Sequence, residues 1–227
     1  MSRVSIIVTC FNNTHTAAHM SMLCLDHIRK FTDPLYELIV MDPAPKFPIR
    51  DDYKTLNLHG KDSYWFQLPE DPGYTACMNK GASMAGGEVL VFMQNDVFVR
   101  EGWLKDLLWY IENGYDAVFP DQVPRTREYI LETYKRGYNH PESKKGGRDA
   151  GLIMIKKSVF EKMGRWNEKL GLLAERDFFE RLANFNWTDT NKVLITHIMA
   201  ATNLDRLDTD PDEYNLRMKK DADLLNK

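Results

Sequence analysis

With 227 residues, 43% of them hydrophobic, the chain is long enough to bury one good core and short for two, so a single domain is expected. Charged and aromatic fractions of 28% and 11% are ordinary and exclude an intrinsically disordered polymer. A formal charge of −3 excludes the strong positive field on which non-specific nucleic-acid binding relies.

Cys10, Cys24 and Cys77 are odd in number and share no metal-finger or redox spacing, which points to a reducing compartment. The apolar run near the N-terminus is about five residues, far below the ~20 that span a bilayer, and no later segment qualifies. The chain therefore reads as soluble and cytoplasmic.

Val4 to Thr9 is a β-branched strand ending in Cys10-Phe11-Asn12-Asn13, with Asn13 or Thr14 placed to cap a following helix. Leu38 to Met41 is a second buried-type strand, closed by Asp42 and the Pro43-Ala44-Pro45 breaker. Ser63 to Leu68 is a third strand, and Tyr74 to Ala85 a helix stopped by Gly86-Gly87. Glu88 to Met93 is the most apolar strand; Gln94-Asn95-Asp96 follows it, then the short apolar piece Val97 to Val99. Leu104, Leu107, Leu108 and Ile111 recur at helical spacing, and Ala117 to Phe119 gives a further strand. The polar stretch 121–149 is too long for an ordinary connection and is a candidate mobile loop. Order returns with Gly151 to Ile155, a short helix stopped at Gly164, a helix from Glu175 to Phe185, a strand from Val193 to Thr196 and an amphipathic helix from Glu213 to Leu225. Strands alternating with helices predict an α/β domain with a mostly parallel central sheet flanked by helices.

In such sheets ligands collect at the carboxyl ends of the strands. Three polar clusters fall there: Thr9 to Asn13, Asp42, and Gln94-Asn95-Asp96. Each alone is equally a turn former or a helix cap. Their order carries more. VSIIVTCFNN, YELIVMDPAP, DPGYTACMNKGASMAGGEVLVFMQNDV and GLLAERDFFERLANFNW stand in the order and rough spacing of family 2 glycosyltransferases, and the chain resembles that family over nearly its whole length.

The resemblance implies the GT-A fold, Rossmann-like and a single domain over 1–227, with a nucleotide-binding half at 1–97 and an acceptor-binding half at 98–227. It implies an inverting transfer of a sugar from a nucleoside diphosphate sugar to an acceptor hydroxyl, assisted by Mn²⁺ or Mg²⁺. Thr9, Phe11, Asn12 and Asp42 would hold base and ribose. The usual second aspartate after that strand is Pro43 here, and a small Gly-Ser turn is Ala44-Pro45. Gly73, Asn79 and Gly81 match the family's Asn-x-Gly segments, with Asp71 at the first Asn, and a packed Gly81 at a loop entering a helix is the plainer account.

Gln94-Asn95-Asp96 stands where the family has Asp-x-Asp, so Asp96 with Gln94 would ligate the cation and Asn95 would face the nucleotide. An amide is a poorer ligand than a carboxylate. Glu175-Arg176-Asp177 with Arg181 resembles the family's catalytic segment. The alignment makes Glu175 the base, with Asp177 beside it in the same segment. Asp177 and Arg181 alternatively form an i,i+4 pair at a helix start. His197 ends a strand where relatives place a histidine near the metal.

His15 and His19 share a helix face without a third ligand. Lys144, Lys145 and Arg148 beside Gly146-Gly147 form a basic loop that could meet a diphosphate or acceptor, or be solvated. Trp166 and Trp187 are sugar platforms or core. The acceptor is open between glycan, lipid-linked glycan, protein, small molecule and modified nucleic acid. Two rival functions remain: a degenerate nucleotide-sugar or glycan binding module, and a nucleotidyltransferase, which would want a basic, glycine-rich loop after the first strand.

Overall fold

The computed structural model describes residues 3–33, 35–55, 62–124, 151–198 and 211–225. One eight-stranded sheet runs through it in the order β3-β2-β1-β4-β7-β6-β8-β5. The strands are β1 Val4–Thr9, β2 Tyr36–Pro43, β3 Ser63–Leu68, β4 Val89–Gln94, β5 Val97–Phe98, β6 Ala117–Pro124, β7 Leu152–Lys156 and β8 Trp187–His197. The helices are α1 His15–Phe31, α2 Arg50–Thr55, α3 Tyr74–Met84, α4 Trp103–Glu112, α5 Lys157–Lys162, α6 Ala174–Leu182 and α7 Pro211–Leu225. Neighbours β3, β2, β1 and β4 are parallel; β7 runs antiparallel to both β4 and β6, β8 is parallel to β6, and β5 is antiparallel to β8. The mostly parallel α/β sheet expected from the strand–helix alternation is therefore present.

Alternation along the central strands splits the core into two layers. Ile6, Val8, Val40, Val91 and Met93 face α1 and α4, where Cys24, Leu25, Ile28, Trp103, Leu107 and Leu108 cover them. Ile7, Ile39, Met41, Leu90 and Phe92 face the opposite way, onto Cys77, Met78 and Ala82 of α3, Phe160 of α5 and Phe178 of α6. All six residues of β1 are buried, as expected for a parallel strand covered on both faces. α3 lies unusually close to β1: a Cβ on Gly81 would stand 2.6 Å from Ile7 Cγ2. That contact fixes the height at which the N-terminus of α3 meets the strand ends.

Thr14, not Asn13, caps α1, its Oγ1 accepting from the Ala17 N–H at 3.0 Å. β6 and β8 are longer than their apolar runs suggested. β6 continues through the polar Asp121-Gln122 and β8 begins at Trp187, the two pairing across an irregularity between Pro120 and Asp121. Ladder pairing sustains these residues where side-chain pattern does not, since half of β8 is only partly covered. The candidate mobile loop thus starts no earlier than residue 125, and 125–150, with Lys144, Lys145 and Arg148, lie outside the described residues. α2 had no sequence signal of its own. Among the described residues no helix is long and apolar enough to cross a membrane.

Candidate active site

A cleft of about 330 Å³ opens at the carboxyl ends of β1, β2 and β4. Thr9 and Phe11 after β1, Pro43 at the end of β2, Asp71 to Tyr74 at the start of α3, Gln94 to Asp96 after β4, the segment from Gly171 to Glu175 entering α6, and Arg217 of α7 form its walls. Gly73 makes the sharp entry to α3 with φ 93°, its N–H donating to Asp71 Oδ1 at 2.9 Å. The first turn of α3, carrying no side-chain cap, points its N–H groups toward the cleft and favours an anion there.

Behind the first wall runs a buried polar chain. Asn12 Nδ2 donates to Asp42 Oδ1 at 2.9 Å, Ser21 Oγ to Asn12 Oδ1 at 2.7 Å, and Asn95 Nδ2 to Ser21 Oγ at 2.8 Å. These four residues tie the first loop, the end of β2, α1 and the turn after β4 into one rigid unit. Asn12 and Asp42 are fully buried and do not line the cleft. Burial pushes the Asp42 carboxyl up to about 6, against the opposing pull of the Asn12 and Trp65 N–H groups. Thr9 lines the cleft, and its buried Oγ1 has no hydrogen-bond partner among the described residues.

The opposite wall is built by the turn between β4 and β5. Antiparallel pairing sets Val97 against His197, and the Ile198 N–H donates to the Asp96 carbonyl at 3.1 Å, which brings the His197 side chain beside that of Asp96. Nε2 of His197 stands 3.2 Å from Asp96 Oδ1, both side chains at most 4% exposed, without the alignment of a hydrogen bond. A carboxylate oxygen and an imidazole nitrogen so placed suit neighbouring corners of an octahedral cation, whose ligands at about 2.1 Å lie about 3 Å apart. The pair therefore fits a divalent metal. Among the described residues no group of three or more His, Cys, Asp or Glu is gathered for one, so substrate or water oxygens would complete its shell. Gln94 also lines the cleft, and its Nε2 donates to Glu175 Oε1 at 3.1 Å.

Glu175 lies in the first turn of α6 on the cleft wall, half-buried, while Asp177 does not line the cleft. Asp177 instead receives Arg181 Nε at 3.0 Å, and Arg181 Nη1 donates to the carbonyls of Met163 and Arg165, both at 2.7 Å. Asp177 is thus part of the support for α6, in the i,i+4 pair with Arg181 that its spacing allowed. Asn79 is likewise bonded away from the cleft. Its amide donates to the Trp166 carbonyl at 2.9 Å and to Glu168 Oε1 at 2.8 Å, and accepts from the Trp166 N–H at 3.0 Å, which commits it to the loop before α6 and away from the cleft.

Trp166, 2% exposed and stacked on Phe178 at 4.1 Å, is core; Trp187 sits edge-on to Phe119. His15 is exposed and its ring packs on Phe47 at 3.9 Å, and His19 is exposed on the same helix.

Two residues of α7 had no sequence signal pointing to the site. Asp221, 4% exposed, accepts from the Gly171 N–H at 2.9 Å and the Leu173 N–H at 3.0 Å through one oxygen, pinning the segment that leads into Glu175. Arg217, one turn earlier, reaches the cleft. Only the i,i+4 spacing of a cation and an acid was legible, and that spacing is ordinary on an exposed helix.

Comparison with known proteins gives the family and the fold. Residues 5–168 match the model of glycosyl transferase family 2. A glucosyl-dolichyl phosphate glucuronosyltransferase of Haloferax volcanii is 25% identical over 162 residues, covering 63% of this chain and 50% of its own, so the chain spans about half the length of that curated relative. A mannosyltransferase, PcManGT, from Pyrobaculum calidifontis, in complex with GDP-Man and Mn²⁺, superposes with a TM-score of 0.68 at 18% identity, over 91% of this chain and 60% of that one. TarS 1–349 of S. aureus in complex with UDP superposes with a TM-score of 0.64 at 16% identity, over 86% of this chain and 60% of that one. At these identities the superpositions establish a shared fold, that of GT-A glycosyltransferases.

Proposed function

The chain belongs to glycosyl transferase family 2, and from that premise we propose that it transfers a sugar from a nucleoside diphosphate donor to an acceptor hydroxyl with inversion at the anomeric carbon. The observation that carries the reading is that Glu175 and Asp96 line one cleft at the strand ends, with His197 beside Asp96 at 3.2 Å. The base and ribose lie against Thr9, Phe11 and Pro43, with Asn12 and Asp42 supporting that wall from behind and Asn95 on the cleft itself. Gly73 lets the backbone approach the diphosphate.

Glu175 accepts the acceptor's hydroxyl proton as that oxygen attacks the anomeric carbon from the face opposite the diphosphate. The new glycosidic bond forms as the sugar–phosphate bond breaks, and the nucleoside diphosphate departs with the bonding pair. Asp96 and His197 would hold Mn²⁺ or Mg²⁺, whose charge would stabilise the departing diphosphate. Gln94, with its amide on Glu175, orients the carboxylate rather than ligating metal. Positioning of acceptor against donor in a preorganised cleft supplies most of the rate, and proton removal a further ~10²–10⁴-fold. The complexes of two structural neighbours, one with GDP-Man and one with UDP, support a nucleoside diphosphate sugar here. The free, buried Cys10, Cys24 and Cys77 support a reducing, cytoplasmic setting.

The test is release of nucleoside diphosphate from a panel of UDP-, GDP- and dTDP-sugars with Mn²⁺. Slow donor hydrolysis by the wild type, abolished in Asp96→Ala, is the expected result. Saturable donor binding with no release from any sugar would instead identify a binding module. Transfer of a nucleotidyl group is disfavoured because Cys10-Phe11-Asn12-Asn13 after β1 carries neither glycine nor cation.

A further inference from the structure

Three carboxylates, those of Asp71, Asp96 and Glu175, line the cleft, and Arg217 is the basic side chain among the described residues that line it. A nucleoside diphosphate entering such a site meets repulsion from each acid, and one divalent cation offsets only part of it. Arg217 lies on α7, well past residue 168 where the family match ends.

The helix that carries it is fixed in place. Asp221 follows Arg217 by four residues and so shares its face; it is buried against the backbone N–H groups of Gly171 and Leu173. Leu224 and Leu225 pack on the second core layer a turn further on. The buried anchor therefore holds Arg217 over the cleft and, by the same two hydrogen bonds, fixes the turn that presents Glu175.

We propose that Arg217 binds the diphosphate of the donor and that Asp221 is the positioning residue that places it, so that α7 is part of the donor site. A guanidinium is suited to the task, since its planar fork meets two phosphate oxygens at once. The inference rests on the nucleoside diphosphate reading given above.

The experiment is calorimetric titration of the full chain with UDP and GDP in the presence of Mn²⁺, for wild type, Arg217→Ala, Arg217→Lys, Asp221→Ala and the Arg217→Ala/Asp221→Ala pair. Arg217→Ala, at an exposed position, should keep the wild-type melting temperature and weaken the nucleoside diphosphate by about tenfold, as expected for loss of a charge-assisted hydrogen bond. Arg217→Lys should recover part of that loss. Asp221→Ala should weaken the same ligand, and the double variant should be no weaker than the poorer single, because the two residues act as one unit. Should Asp221→Ala fail to fold, Asp221→Asn, which keeps an oxygen acceptor, takes its place in the cycle. Wild-type binding with undiminished affinity in Arg217→Ala overturns the inference alone. Fully additive losses overturn the positioning role of Asp221. A wild type that binds neither UDP nor GDP overturns the donor reading and the inference with it.

Discussion

The two polar walls of the cleft are made of similar residues and differ in where their hydrogen bonds go. On the β1–β2 side, Asp42, Asn12, Ser21 and Asn95 bond to one another and are buried. On the β4–α6 side, Asp96 and His197 stand 3.2 Å apart unaligned, and Glu175, on the cleft wall, receives the Gln94 amide. A buried polar group that finds its partners inside the protein contributes rigidity; one left toward a cleft is prepared for a partner that comes from outside. The first wall is thus scaffold, and on the proposed function the second carries the chemistry, although both show asparagine and aspartate at strand ends.

The comparison is most sharply tested by the two acids of α6. Glu175→Gln keeps size and hydrogen bonding while removing the proton acceptor, so kcat should fall by ~10²-fold or more with donor affinity retained. Asp177→Asn should keep turnover near wild type and lose roughly 0.3–1 kcal/mol of stability, since it weakens a partly exposed pair. Steady-state kinetics alongside urea denaturation separates them. A fully active Glu175→Gln with a folded, donor-binding and dead Asp177→Asn would move the base two residues along the helix.

The scaffold wall should respond in the opposite sense. Ser21→Ala leaves Asn12 Oδ1 and Asn95 Nδ2 without their buried partner and should cost about 1–3 kcal/mol of unfolding free energy. Turnover per folded molecule should change little. An unaltered urea midpoint in this variant would show that the chain of hydrogen bonds is not what holds the wall.

The smallest effect concerns Asp42, whose folded-state pKa is raised from the ordinary 3.8 to about 6 by burial. An acid raised in this way stabilises the fold while protonated, and that contribution is lost as pH rises from about 3.8 through about 6. The span, in which the opposing Asn12 and Trp65 hydrogen bonds are already included, corresponds to at most roughly 3 kcal/mol. Asp42→Asn should therefore equal or exceed wild-type stability at pH 7.5, by about 1 kcal/mol, and should flatten the decline between pH 4 and 6. Parallel denaturation series at pH 4.5 and 7.5 measure both. A variant destabilised at pH 7.5 would mean that the charge itself is needed on this wall.

Legibility in the sequence followed from how locally each feature is determined. The apolar strands β1, β2 and β4 and the helix pattern of α4 were readable because burial on both faces, or along one stripe, leaves a periodic mark. β8 was read only at its apolar end, because a partly covered strand held by ladder bonds carries little pattern. In the site, the polar residues at strand ends and Glu175 stood out by position, yet sequence alone could not say which of them point inward. Asn79 looked like a ligand residue and proved to be the clasp between α3 and the loop at Trp166. Asp221 was invisible for the converse reason: its partners at Gly171 and Leu173 are backbone groups 50 and 48 residues away, and only that anchor brings Arg217 to the cleft.

The three cysteines give the molecule built-in clocks. Burial pushes the Cys77 thiol up to about 12, and those of Cys10 and Cys24 are also driven upward, so in the closed fold each sulfur is both shielded and protonated, and alkylating reagents find no thiolate. Cys10 sits in the first loop, Cys24 beneath the carbonyl of Gln94 at 3.6 Å, and Cys77 in the helix whose start borders the cleft. The rate at which each one reacts with iodoacetamide therefore reports how often its own stretch of wall opens. Compared with and without nucleotide, the three rates time the breathing of the site at three separate points.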